Sequence, residues 1–133
     1  VRDLDADSWV DFAGRVDDEG LVDLYRRAWV VASASSHEGW GMTLTEAAAC
    51  GTPAVATRIS GHVDAVEDGL GGLLADDERE LALHLGAVLS DGSLRARLGE
   101  GARSRAATLT WEATALQTLR ALADEALGHR ART

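Results

Sequence analysis

Apolar runs separated by polar loops predict four β-strands in the first 75 residues of the chain. Residues 9–16 are typical of a strand that ends near Gly14. Two short apolar runs, at 29–35 and 54–59, are typical of strands buried on both faces, and a further strand is predicted at 71–75. All four runs end near turn-forming residues, so each is the length of an ordinary strand.

Helical spacing of apolar residues fills the gaps between these strands and most of the second half. Asp17, Asp18 and Glu19 are expected to cap a first helix, whose apolar positions run from Leu21 to Ala28. Gly51 is expected to end the helix that precedes the third strand. The other helices are predicted at 42–50, 63–67, 78–89, 93–107 and 111–127.

Strands alternating with helices predict an α/β fold, with a parallel Rossmann-like sheet flanked by helices. Ligands bind such sheets at the carboxyl ends of the strands, where the loops after Ser35 and Ile59 are expected to lie. Residues 1–76 are expected to form the Rossmann-like core. Residues 77–128 would form the C-terminal helices of the same domain, and residues 129–133 a loose tail.

Composition narrows the classes of protein. The chain has 133 residues, of which 46% are hydrophobic, enough for one domain with a single core. A formal net charge of -9 argues against a nucleic-acid-binding protein, which would need clustered basic residues. Neither a signal peptide nor a run of apolar residues long enough to span a membrane is evident, so we expect a cytoplasmic protein.

The cysteine and histidine residues predict neither a disulfide nor a metal site. Cys50 has no partner in the sequence and is expected to be a small buried apolar residue. The four histidines have no spacing typical of metal ligands. We therefore expect no metal and no other cofactor.

The loop between the second and third predicted strands contains the clearest candidate site. Gly39 and Gly41 let the backbone approach a ligand closely, and a helix begins directly after them. The free N–H groups of about Gly41, Met42 and Thr43 would point into the cleft. This arrangement predicts an anion site.

Two carboxylates flank that anion site. Glu38 precedes the glycines and Glu46 lies about one turn into the helix, so both can reach the rim of the same cleft and accept hydrogen bonds from ligand hydroxyls. The alternative is that Glu46 only complements the helix dipole and Glu38 is a solvated loop charge. Thr43 and Thr45 could likewise be ordinary caps, and Trp40 a packing residue.

Residues 36–56 closely resemble the signature of glycosyltransferase family 4, a group of retaining enzymes with two Rossmann-like lobes. The family has two glutamates eight positions apart, the first followed by Gly-aromatic-Gly, and a Gly-x-Pro after the helix; Glu38 and Glu46 match these glutamates. Residues 12–28 and 60–74 resemble the family's neighbouring segments in the right order, and the helix at Trp111 resembles its closing helix.

The resemblance implies a fold, a donor and roles for individual residues. The chain would be part of the C-terminal lobe of the two-lobed fold called GT-B, with residues 1–76 binding a nucleotide sugar. Glu46 would bind the ribose hydroxyls of the donor, and Glu38, the candidate catalytic residue, would face the transferred sugar. The other donor-binding residues would be Gly39, Trp40, Gly41, Met42 and Thr43, and the nucleobase would contact Arg15, Val16 and Asp17. These transferases generally work without a bound metal.

The sequence also departs from the family. The Arg and Lys that clamp the diphosphate, and the N-terminal acceptor lobe, would both precede residue 1. Ser60 and Asp64 stand where the family usually has Gly and Glu, and Arg58 is either a phosphate contact or an exposed charge at a strand end. We therefore expect residues 1–133 to transfer no sugar alone and to self-associate through an open sheet edge. For the parent enzyme, peripheral association with a membrane stays open.

Three alternatives remain open at this point. The chain could be a non-catalytic module that binds a nucleotide sugar, or part of a nucleotide-sugar epimerase with the same two-lobed architecture. It could also be a flavodoxin-like signalling or scaffold domain, in which the two glutamates and the Gly-Trp-Gly would coincide by chance.

Overall fold

The computed structural model describes residue 6 and residues 8–130, without the side chains of residues 129 and 130. Six helices and three strands follow one another along the residues described. The helices are α1 (Asp18–Arg27), α2 (Met42–Ala49), α3 (Ser60–Ala65), α4 (Glu78–Ser90), α5 (Gly92–Ala106) and α6 (Trp111–Arg130), and the strands are β1 (Val31–Ser33), β2 (Ala54–Thr57) and β3 (Gly72–Ala75).

The three strands form one parallel sheet in the order β1-β2-β3. Val31 pairs with Ala54 across the first ladder, and Ala54 pairs with Gly72 across the second. The predicted fold class, an α/β domain with a parallel sheet and flanking helices, is confirmed. The strands are shorter than the apolar runs, because only part of each run forms hydrogen-bonded pairs with a neighbouring strand.

Helices cover both faces of the sheet. Ala54 and Ala56 of β2 pack with Leu44 of α2 and Ala65 of α3 in one core cluster. Val55, which points to the opposite face, packs with Val88 of α4 and Leu98 of α5. A strand flanked by apolar clusters on both sides is typical of a central parallel strand.

One predicted strand does not form. Residues 9–16 have no regular structure, and Trp9 and Phe12 are 74% and 76% exposed. A strand needs a partner for its N–H and C=O groups, and the outer edge of β1 pairs with no other segment in the described part of the chain. The prediction of four strands was therefore wrong by one.

The other edge of the sheet is covered. Asp68, in the loop before β3, accepts a hydrogen bond from the backbone N–H of Leu74 through Oδ1 at 2.9 Å. The N–H of Gly69 donates to the carbonyl oxygen of Gly72 at 2.8 Å. These contacts occupy the outer edge of β3 with the chain's own backbone and side chains.

Helix boundaries agree with the sequence signals at most ends. Asp17 caps α1 by accepting from the N–H of Gly20 at 2.9 Å, and Gly51, with φ +83°, ends α2, both as predicted. Helix α3 begins at Ser60 rather than at residue 63. Helix α6 continues to Arg130, so residues 129 and 130 are helical rather than part of a loose tail, and residues 131–133 lie outside the described residues.

None of the described helices combines the length and hydropathy of a membrane span.

Candidate functional site

The loops after β1 and β2 meet at the carboxyl edge of the sheet, as the sequence predicted. They form an open cleft lined by Ser36, His37, Glu38, Gly39, Ile59 and Ser60. Its volume is about 610 Å³, within the range of roughly 300–1,000 Å³ that small-molecule sites occupy.

Helix α2 begins beside this cleft with an open N-terminus. Gly41 precedes the helix in the left-handed conformation, φ +70°, and offers no side-chain cap. The N–H groups of Leu44 and Thr45 bond to the Gly41 carbonyl, whereas those of Met42 and Thr43 donate to no acceptor within the described part of the chain. No acidic residue lies in the first turn, so the positive end of the helix dipole is available to an anion.

The threonines do not cap this helix. The hydroxyl of Thr45 donates back to the carbonyl oxygen of Met42 at 2.8 Å, and the Thr43 side chain is exposed. Interpreting either one as an N-cap was therefore wrong, because the left-handed Gly41 occupies the capping position.

The two glutamates line two different hollows beside α2. Glu38 lines the cleft, and its Oε1 accepts from the N–H of Gly39 at 3.1 Å. Glu46 instead lines a groove between α2 and the α5–α6 junction. Glu38 thus lies in the cleft and Glu46 in the groove. That both carboxylates reach one rim stays a prediction.

The groove is lined by apolar and hydroxyl-bearing side chains as well as Glu46. Trp40, 39% exposed, and Met42, 65% exposed, form one wall together with Thr45. Leu109 to Trp111, at the start of α6, form the other wall. Trp40 is therefore only partly buried, and its ring is accessible from the groove.

Glu46 has a hydrogen-bond partner that the sequence did not suggest. The hydroxyl of Tyr25, in the last turn of α1, donates to Oε2 of Glu46 at 3.0 Å. Burial, followed by the hydrogen bond and charge of Glu46, raises the pKa of Tyr25 to about 12. Helical spacing predicted Tyr25 as a packing residue, and only its single polar atom indicated that it needs a partner when buried.

His62 is a second residue that the sequence did not single out. It is 1% exposed, and its Nδ1 donates to the carbonyl oxygen of Thr57 at 2.7 Å. Its Nε2 lies 3.3 Å from the hydroxyl of Ser33, so one imidazole joins the ends of β1 and β2. His62 is therefore a buried polar link between the two strands.

Helix α3 also supports the backbone of the Glu38 loop. A Cβ at Gly61 would collide with the carbonyl oxygen of Glu38. A Cβ at Gly41 would lie 3.2 Å from Cδ2 of His62. The turn thus contacts the Glu38 backbone through Gly61, while Ser60 is exposed and lines the cleft.

The remaining candidates are spread over the surface. Arg15 and Val16 are exposed in the turn before α1, where Asp17 serves as the helix cap. The Arg58 guanidinium forms ion pairs with Asp68 at 2.7 Å and with Asp76 at 2.8 Å. Its positive charge is therefore paired with two carboxylates at the sheet edge. Within the described residues, no three His, Cys, Asp or Glu side chains are grouped to hold a metal ion.

Comparison with known proteins identifies the family of this chain. The family described as "Glycosyl transferases group 1" matches residues 2–105. The D-inositol 3-phosphate glycosyltransferase of Corynebacterium jeikeium is 45% identical over 116 residues, which cover 84% of this chain and 27% of that protein.

Solved structures give the same result. The sucrose-phosphate synthase of Thermosynechococcus elongatus superposes with a TM-score of 0.80 at 32% identity, over 96% of this chain and 33% of that one. Anabaena HepE, in complex with UDP and glucose, superposes with a TM-score of 0.75 at 26% identity, over 92% and 34%. The chain spans between a quarter and about a third of these relatives. By its sequence and its fold, it belongs to the group 1 glycosyl transferases.

Proposed function

We propose that this chain forms the donor side of a retaining glycosyltransferase of family 4, within a longer protein that we call the parent protein. The N-terminus of α2 would bind the diphosphate of a nucleoside-diphosphate sugar. Sequence outside residues 1–133 would supply the acceptor site, so the chain alone would transfer no sugar because the reactants cannot be brought together.

The observation that carries the proposal is the open N-terminus of α2 between two glutamates. The unpaired amides of Met42 and Thr43 and the helix dipole favour a negatively charged group, and they would stabilise the leaving nucleoside diphosphate. HepE shares the fold over 92% of this chain, and its structure was solved in complex with UDP and glucose.

Neighbouring side chains would each bind a different part of the rest of the donor. Glu38, in the cleft, would contact hydroxyls of the transferred sugar, and Glu46, in the groove, would accept from the ribose. Arg15 and Val16 would contact the nucleobase. The donor phosphate itself would assist attack from the same face, so no enzyme nucleophile and no metal are invoked.

Replacing each glutamate in the parent protein tests these roles. Glu46→Gln should weaken binding of UDP by about 1–3 kcal/mol, the scale of a lost charge-assisted hydrogen bond. Glu38→Gln should lower kcat more than it weakens UDP binding, since it would touch the sugar and not the nucleotide. Isothermal titration with UDP, GDP and ADP, together with steady-state kinetics, measures both effects.

Glu100→Gln is the matched control, because Glu100 is an exposed glutamate of α5 that lines neither the cleft nor the groove. It should change neither quantity. Unchanged binding and turnover in both site variants would show that the site is assigned to the wrong residues.

A further inference from the structure

Tyr25 is held in place at both ends. Its hydroxyl donates to Oε2 of Glu46 at 3.0 Å, and its carbonyl oxygen accepts from the hydroxyl of Thr52 at 2.5 Å. Tyr25 is 9% exposed and Thr52 is 3% exposed, so the bond between them is buried, whereas the bond to Glu46 is only partly buried. The phenol is therefore a fixed group, although it lies in the last turn of a surface helix.

Glu46, the acceptor of the Tyr25 hydroxyl, has a flexible side chain. Glu46 is exposed, and a free glutamate side chain samples several rotamers. The bond from Tyr25 selects among them and fixes Oε2. Within the described part of the chain, Oε1 accepts no hydrogen bond and thus stays available to a ligand.

The direction of the hydrogen bond is also fixed. Burial first, and then the hydrogen bond and charge of Glu46, raise the pKa of Tyr25 to about 12. The phenol thus keeps its proton throughout the physiological range, and the carboxylate is the acceptor. A carboxylate oxygen has two acceptor positions, so Oε2 can bond to Tyr25 and still accept from a ligand.

We propose that Tyr25 is a positioning residue that holds the Glu46 carboxylate for recognition of the ribose hydroxyls of the donor nucleotide. This inference rests on the proposed function. A carboxylate oriented before the ligand arrives loses less side-chain entropy on binding, and its two oxygens can meet two neighbouring hydroxyls together. Tyr25 thereby contributes to the preference for ribose over deoxyribose without touching the nucleotide.

Comparing UDP with 2′-deoxy-UDP separates this role from a general loss of structure. In the parent protein, the ratio of the Kd for 2′-deoxy-UDP to the Kd for UDP measures recognition of the 2′-hydroxyl. Tyr25→Phe keeps the ring and removes the hydroxyl, and it should lower this ratio by roughly threefold to tenfold, the range expected for one net hydrogen bond. The affinity for 2′-deoxy-UDP should change little.

Thr52→Val is the matched control, because it removes the other hydrogen bond of Tyr25, from the loop between α2 and β2, and keeps the phenol. It should leave the ratio unchanged. An equal fall of the ratio in Thr52→Val would overturn the inference, since loss of packing would then explain the effect. In a Glu46→Gln background, Tyr25→Phe should have no further effect on the ratio.

The same measurements distinguish failure of the inference from failure of the proposed function. If Glu46→Gln leaves the ratio at its wild-type value, Glu46 does not recognise ribose and the proposed function fails at that residue. If Glu46→Gln removes the preference while Tyr25→Phe retains it, only the positioning role fails. Urea unfolding of each variant checks that folding is intact.

Discussion

At the scale of single residues, the two glycines of the candidate site have different structural requirements. Gly41 has φ +70°, and a Cβ there would press against His62, whose side chain links β1 to β2. Gly39 has no such φ, and a Cβ there would meet no atom within 4 Å. Gly41 therefore sets the start of α2, and the space beside Gly39 remains open to a ligand.

This difference gives a paired prediction for stability. Gly41→Ala should lower the free energy of unfolding by about 1–2 kcal/mol, the cost of a left-handed residue with a side chain, and contact with His62 would add to it. Gly39→Ala should stay within about 0.5 kcal/mol of the wild type, as surface substitutions usually do. Equilibrium unfolding in urea measures both, and equal midpoints for the two variants would contradict the explanation.

At the scale of elements, helix α5 depends on one capping carboxylate. Asp91 accepts from the hydroxyl of Ser93 at 2.6 Å and from the N–H groups of Ser93 and Leu94 at 2.8 and 3.0 Å. The hydrogen bond from the Ser93 side chain, followed by those from the backbone, holds the pKa of Asp91 below its usual value. α5 packs Leu98 into the core, so its first turn helps to anchor that face of the sheet.

The lowered pKa predicts how the stability conferred by Asp91 depends on pH. Because the folded-state pKa lies below the unfolded value of about 4, the contribution is fully present above that value and is lost as pH falls through the folded pKa. Asp91→Ala should therefore reduce the free energy of unfolding at pH 7, with a smaller difference from the wild type at pH 3.

Urea unfolding at both pH values measures the effect. Asp11→Ala, at an exposed position in the irregular segment before α1, is the control and should be nearly neutral at both. The role of the carboxylate charge would be contradicted if Asp91→Ala lowered the free energy of unfolding by the same amount at pH 3 and pH 7.

The sequence predicted those elements whose causes are local. The caps at Asp17 and Gly51 and the glycine loop before α2 depend on neighbouring residues, and each was found where expected. The strand at 9–16 failed because strand formation requires a partner, which a single segment cannot reveal. The bond from Tyr25 to Glu46 and the bridge from His62 to Ser33 join residues 21 and 29 positions apart, so only the fold brings them together.

At the scale of the whole molecule, much apolar surface is exposed. Trp9 and Phe12 are uncovered, and along α6 the side chains of Trp111, Leu119 and Leu122 are 87%, 64% and 66% exposed. The outer edge of β1 is also unpaired within the described residues. Exposed apolar patches and open strand edges both favour association with another chain.

We therefore expect residues 1–133 to self-associate when produced alone. A symmetric contact that buries about 1,000 Å² or more would be enough for a specific dimer. Sedimentation velocity over a range of concentrations measures the mass. A monomer mass that does not vary with concentration, together with cooperative melting at ordinary temperature, would contradict this expectation.

The covered edge of β3 limits what such an assembly can become. Asp68 and Gly69 already occupy the backbone groups that a further strand would need. Each chain thus has one edge that can accept a strand and one that cannot. When two β1 edges have paired, both outer ends of the joint sheet are blocked. Growth along the sheet would terminate at two chains instead of continuing into a fibril.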